Sequence, residues 1–192
     1  QLDDIKFSPD IAVITNLFPE HMDFHGNLEN YYQAKRNIFA FQTATEHLID
    51  RPKAKKKYHS NLLGEHNQNN IQSAVEVANI LKIPEVKIIK AIKSFKGLPH
   101  RLEKVGDFKG VTFYDDAIST TPDSTIMAIK ALKNIDTIFL GGQDRGYDFT
   151  QLEKIIIQHK IKNIVLFPDS GKKIISNKKG LNLLETKSMK EA

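Results

Sequence analysis

The chain has 192 residues, 40% of them hydrophobic, with 28 Lys and Arg against 23 Asp and Glu for a formal net charge of +5. That is enough apolar material for one large or two small cores, while the absence of cysteine excludes disulfides, thiolate metal sites and cysteine nucleophiles and suits a reducing cytosol. No run of eighteen apolar residues and no basic-then-apolar leader occurs, so neither a membrane span nor a signal peptide is expected.

The basic excess gathers in short runs, "RPKAKKK" at 51–57 and the lysine pairs at 172–173 and 178–179. Without interleaved aromatic residues to stack on bases, such runs read as solvated loops rather than a nucleic-acid surface. A basic cleft for an anionic small substrate stays open.

"DIAVITNL" (10–17) is short, β-branched and preceded by Pro9, which predicts a buried strand. "PEHMDFHG" (19–26) follows, with His21, Asp23 and His25 at alternate positions. In an extended chain they share a face, as hydrolytic zinc ligands often do. The other histidines, at 47, 59, 66, 100 and 159, form no second ligand-spaced pair, which weighs against a zinc hydrolase.

Leu28, Tyr31, Tyr32, Ile38 and Phe39 fall at helical spacing and predict an amphipathic helix over 28–41. Lys35 sits in its apolar stripe. An ammonium there needs a partner or must lose its charge. Either the stem packs and the head reaches water, or a neutral amine takes up carbon dioxide to give a carbamate whose oxygens suit Mg²⁺.

Beyond a polar stretch at 42–61, Ile71, Ala74, Val75, Ala78 and Leu81 repeat the helical period, and Val86, Ile89, Ile92 and Phe95 repeat it after Pro84. This predicts two packed helices. "GEHNQNN" (64–70) opens the first, where Asn67 and Asn70 either cap the helix or face an anion or a nucleobase edge. "KGLPHR" (96–101) places Gly and Pro between periodic segments and predicts a boundary between domains 1–97 and 98–192.

From there strands at 110–115, 137–141, 163–167 and 181–185 alternate with helices at 122–133, 150–159 and 169–176. Such alternation predicts an α/β fold with a Rossmann-like parallel sheet. Thr121 before Pro122, and "TQLE" (150–153) as a capping box, supply helix starts. "FYDDAISTTPDS" (113–124) and "LGGQDRG" (140–146) then put two polar loops at strand ends, where ligands gather in open parallel sheets.

Taken in order, "VITNLFPEHMDFHG", "YYQAKRNIF", "GEHNQNNIQSA", "GLPHRLE", "FYDDAISTTPDST" and "LGGQDRGYDF" resemble the Mur ligases of peptidoglycan synthesis. The acidic loop "DDAISTTP" points to the branch that adds D-glutamate to UDP-N-acetylmuramoyl-L-alanine. The resemblance implies a central ATPase-type α/β domain followed by a Rossmann-like domain, in a cytoplasmic, monomeric ligase that uses ATP and Mg²⁺ and needs neither nucleic acid nor membrane. It implies that His21 is a metal ligand and Lys35 a carbamylated lysine at a second Mg²⁺. By the same carry-over Asn67 and Asn70 face the nucleotide, Arg101 the phosphates and Asp116 the ribose. Thr120 and Arg145 lie near the incoming amino acid and the reacting phosphate, Arg145 where lysine is often found.

The opening "QL" resembles the tail of the family's Ser-Ser-Phe-Gln-Leu motif, no G-x-x-x-x-G-K-[ST] occurs, and "SMKEA" falls before the family's Ser-containing loop for D-glutamate. The expectation is a fragment lacking the UDP-binding domain, the P-loop and the C-terminal end, with a shortened 42–61 connection and no ATP turnover by itself. The rivals are a sister Mur or folylpolyglutamate-synthase-like ligase, and a receiver-like binding module built on Asp115 and Asp116. The latter accounts for the second half only.

Overall fold

A computed structural model describes residues 2–18 and 22–192, and of Met22 and Asp23 the backbone only. The chain divides into two compact units, Gln1–Gly97 and Leu98–Ala192.

The first unit runs β1 (Ile11–Ile14), α1 (Met22–His25), α2 (Leu28–Arg36), β2 (His47–Asp50), α3 (Glu65–Ile80) and α4 (Glu85–Ser94). β1 and β2 pair in parallel, Ile11 opposite His47, and bury Ala12, Ile14 and Ile49. β2 lies inside the stretch read as merely polar. Only Ile49 of its four residues is buried, so the segment has no apolar pattern of its own and becomes a strand by pairing with β1.

Helix α2 starts as the sequence suggests, with the Asn27 side chain accepting the Asn30 N–H at 2.9 Å. It stops at Arg36 rather than continuing to 41. The Asn37 amide reaches the carbonyls of Leu2 (3.0 Å) and Asp3 (3.2 Å), Ser8 Oγ donates to the Asn37 carbonyl, and the Phe41 N–H donates to Ser8 Oγ. The Ser8 hydroxyl thereby takes the place of the Phe41-to-Asn37 helical bond, while Asn37 and Ala40 keep bonds to Gln33 and Arg36, and the chain turns through 37–41.

The basic run becomes a strap fastened to α3. Asn69 Oδ1 accepts the Ala54 N–H at 2.9 Å, Gln68 exchanges two bonds with the Tyr58 backbone, and buried Gln72 accepts from Lys55 N–H and, at 2.6 Å, from the Tyr58 hydroxyl. Three side-chain amides thereby satisfy backbone that no strand covers. Lys55 and Lys56 pair with Glu76 and Glu85 at the surface, each at 3.3 Å.

α4 forms where expected, but its inward residue is Ile88, while Val86, Ile89 and Phe95 are exposed. The period located the helix but set its buried side off: Ile88 is buried and Ile92, one turn on, is half-buried.

The second unit runs β3 (Glu103–Phe108), β4 (Val111–Asp115), α5 (Pro122–Ala131), β5 (Thr137–Gly142), α6 (Thr150–Gln158), β6 (Asn163–Asp169), α7 (Gly171–Ile174) and β7 (Asn182–Glu185). β5, β6 and β7 form a parallel sheet in that order. Ile129, Leu152, Ile156, Ile161, Ile164 and Leu166 close the core between this sheet and helices α5 and α6.

The strand expected at 110–115 exists but pairs antiparallel with β3, which the sequence reading missed. Lys109 and Gly110, at φ +48° and +82°, form the tight turn that joins the two as a hairpin. Thr121 caps α5 as expected, accepting the Ser124 N–H at 3.2 Å. "TQLE" is no capping box. Asp148 accepts the Thr150 N–H at 2.8 Å, and Glu153 turns away to take the N–H groups of Ser176 and Asn177 at 2.8 and 2.7 Å.

Gly141 is at φ +143°, and a Cβ there would lie 2.4 Å from the Phe167 carbonyl oxygen. Gly141→Ala is expected to lower the unfolding free energy by about 2 kcal/mol or more in urea titrations. Gln72→Leu leaves the Tyr58 hydroxyl and the Lys55 N–H without their acceptor. A loss of about 1–3 kcal/mol and faster tryptic cleavage at Lys55–Lys57 are expected.

Candidate functional site

His21 and the Asp23 side chain lie outside the described residues. Lys35, on the last turn of α2, is half-buried, and its Nζ stands 5.3 Å from the centroid of the Tyr31 ring, which suits an ammonium. As an ammonium it repels a divalent cation. Only as a carbamate would it offer oxygen donors.

At the start of α3 the N-cap is Gly64, at φ +88°, with no side-chain cap. Asn67 Nδ2 donates back to the Leu63 carbonyl at 2.8 Å, and Asn70 Nδ2 donates to Asn67 Oδ1 at 3.3 Å. The two amides are thus joined to each other and do not cap the first-turn N–H groups. Those groups are what an approaching anion would meet.

The second unit assembles the more elaborate constellation, from the loop 98–102 and the C-terminal end of β4. His100 Nδ1 lies 2.7 Å from Asp115 Oδ2, and Asp115 Oδ1 accepts the Ala117 N–H at 3.0 Å. Glu103 accepts the His100 N–H at 2.9 Å, Asp116 Oδ1 accepts the Leu102 N–H at 2.8 Å, and Ser119 donates its hydroxyl to Asp116 Oδ2. The Ile118 N–H closes the arrangement on the His100 carbonyl at 3.2 Å. Arg101 lies between these anchors, exposed and without an ion pair among the described residues.

His100, Glu103 and Asp115 also offer ligand atoms within 4.8 Å of one another, the one such grouping among the described residues. His100 and Asp115 already bond each other through Nδ1 and Oδ2. His100 and Glu103 were not singled out from the sequence. The signal that could find them is the acidic pair at 115–116: the resemblance implies a ribose contact for Asp116 alone, whereas both carboxylates take donors from the neighbouring loop.

In the loop after β5, Asp144 accepts the Gly146 N–H at 3.0 Å and pairs with Lys173, while the Ser170 N–H bonds the Gly142 carbonyl at 2.9 Å. Arg145 is exposed and has no ion pair among the described residues. Thr120 is exposed immediately before the Thr121 cap of α5. Because β4 does not pair with β5, the sheet does not bring the loops of Asp116 and Arg145 to a common edge, as the alternation had suggested.

The hydrogen bond to Asp115, and then its charge, hold the His100 imidazole above its ordinary value of 6.5. The hydrogen bond from His100, then the Ala117 N–H, hold Asp115 below its ordinary value of 3.8. The His100 contribution is complete below about pH 6.5 and is lost as pH rises through its raised value; the Asp115 contribution is lost as pH falls through its lowered one. In an NMR titration the His100 ring is expected to deprotonate above its ordinary value of 6.5. Asp115→Ala should remove that elevation.

Residues 1–49 match the Mur ligase middle domain. A UDP-N-acetylmuramoyl-L-alanine--L-glutamate ligase from a Micromonospora species is 31% identical over 94% of this chain and 49% of its own length. A UDP-N-acetylmuramoylalanine--D-glutamate ligase from Caldanaerobacter subterraneus is also 31% identical, over 91% of this chain and 48% of its own length. The solved structure of a MurF ligase from Thermotoga maritima in complex with ADP shares the fold, with a TM-score of 0.69 at 15% identity over 93% of this chain and 53% of that one. The chain spans about half the length of the curated relatives it matches. The middle-domain match and these similarities are to Mur ligases, and the similarities extend across more than nine-tenths of this chain.

Proposed function

We propose that the chain is the nucleotide-handling part of an ATP-dependent ligase that joins glutamate to a UDP-N-acetylmuramoyl-alanine carboxylate. The observation that carries this reading is the similarity to two glutamate ligases across more than nine-tenths of the chain. In the reaction the acceptor carboxylate oxygen attacks the γ-phosphorus of ATP, releasing ADP and leaving an acyl phosphate. The glutamate amine then attacks the acyl carbon, a proton leaves the nitrogen, and phosphate departs.

This chain's part is charge stabilisation and positioning. Arg101 neutralises phosphate oxygens, Arg145 serves the reacting phosphoryl group, and Thr120 serves the incoming amino acid. The first turn of α3, with Asn67 and Asn70, presents N–H groups and amides to the nucleotide. The Asp116 oxygens, each with one donor, retain lone pairs for a ribose hydroxyl. Mg²⁺, held through His21 and a carbamylated Lys35, would supply further neutralisation of phosphate charge; with Lys35 as an ammonium the residues do not fit it.

The amino acid's configuration is the second question, since the relatives named above divide between L- and D-glutamate at equal identity. The acidic loop favours D-glutamate. The test is a chimera in which this chain replaces the matching half of the Caldanaerobacter ligase, assayed for phosphate release with each glutamate isomer. Release that needs D-glutamate is expected. Arg101→Ala should reduce it about a hundredfold or more, and Lys35→Ala should remove most of it with partial return on adding short carboxylates. A folded chimera silent with both isomers would contradict the reading, and release with L-glutamate alone would reverse the assigned configuration.

A further inference from the structure

The loop 98–102 holds two non-glycine residues in the left-handed region, His100 at φ +60° and Leu102 at φ +47°, one on either side of Arg101. Such a conformation is unfavourable for a side chain with a Cβ, and persists where the surroundings over-determine it. Here the surroundings are specific. The ring and N–H of His100 go to Asp115 and Glu103, its carbonyl receives Ile118, and the Leu102 N–H goes to Asp116.

The anchors fall on the residues beside Arg101 and, through its N–H on the Leu98 carbonyl at 3.3 Å, on its backbone, and none falls on its guanidinium. The backbone at 101 is fixed while the charged head stays exposed and unpaired among the described residues. That arrangement suits a cation held ready for an anion from outside the loop, because less freedom remains to be lost when the anion arrives.

We infer that Asp115, Asp116 and His100 are positioning residues, a clasp that presents Arg101 to the phosphates of the nucleotide. The inference rests on the reading of Arg101 as a phosphate ligand. It gives the acidic pair a task within the protein in addition to any contact with the ribose. It also makes Arg101 sensitive to the charge state of His100, whose charged neighbours are Asp115 on β4 and Glu103 on β3.

Three readouts on the 192-residue chain test it: amide hydrogen exchange at Leu102 and Ile118, affinity for MgATP, and the pH dependence of that affinity. In Asp115→Ala, exchange at both amides should rise about fivefold to tenfold although neither bonds to Asp115, with the amides of β6 unchanged. MgATP affinity should fall by a similar factor, Asp115→Glu should restore part of it, and the wild-type decline as pH rises through the His100 titration should disappear. Unchanged exchange in Asp115→Ala overturns the clasp. So does unchanged affinity in Asp115→Ala when Arg101→Ala weakens binding. If Arg101→Ala itself leaves affinity unchanged, the phosphate reading fails, and the exchange measurement alone supports or overturns the clasp.

Discussion

The carboxylates of Asp115 and Asp116, at the end of β4, set how the neighbouring loop lies, because they receive the His100 ring and the Leu102 N–H. A carboxylate accepting a backbone N–H and an imidazole proton makes charge-assisted bonds, among the stronger interactions open to an exposed loop. Their effect is geometric more than stabilising: the groups involved are largely solvated, and surface pairs contribute little to overall stability. What they fix is the direction of a short stretch of backbone, and with it the place of Arg101.

The same economy appears elsewhere. Gln68, Asn69 and Gln72 hold an extended basic strap that has no strand partner, and Asp144 ties the Gly-rich loop after β5 to Lys173. In each case a polar side chain on a regular element satisfies the backbone or charge of an irregular one. The exposed arginines 101 and 145 both sit in loops held this way. A cationic loop with its backbone already ordered is a good receiver for phosphate, and both loops belong to the unit whose parallel sheet packs a continuous aliphatic core.

Much of this was legible in the sequence where a local rule decides. The strands β5 to β7 and the helices between them follow from hydrophobic runs of distinct period, and the Thr121–Pro122 start of α5 from capping chemistry. The misses share a cause. β2 has one buried residue in four and β3 has none, so neither carries a pattern; each is a strand because a partner strand is present. α2 ends early because Asn37 finds the carbonyls of Leu2 and Asp3, more than thirty positions away. "TQLE" loses its box because Asp148 and the 176–177 backbone are better partners. The site shows the same division. Ordered motifs pointed to Arg101, Asp116 and Arg145, but only coordinates could show that the acids at 115 and 116 face the loop of Arg101.

The clasp proposed above has the acidic pair keep hold of the loop while Arg101 meets phosphate. The most direct measurement is an experimental structure of the chain with ADP bound. The phosphates are expected against the Arg101 guanidinium, with Asp116 Oδ1 still accepting the Leu102 N–H and Asp115 still on the His100 ring. ADP bound with Arg101 turned away, or with both carboxylates released from the loop, would contradict it.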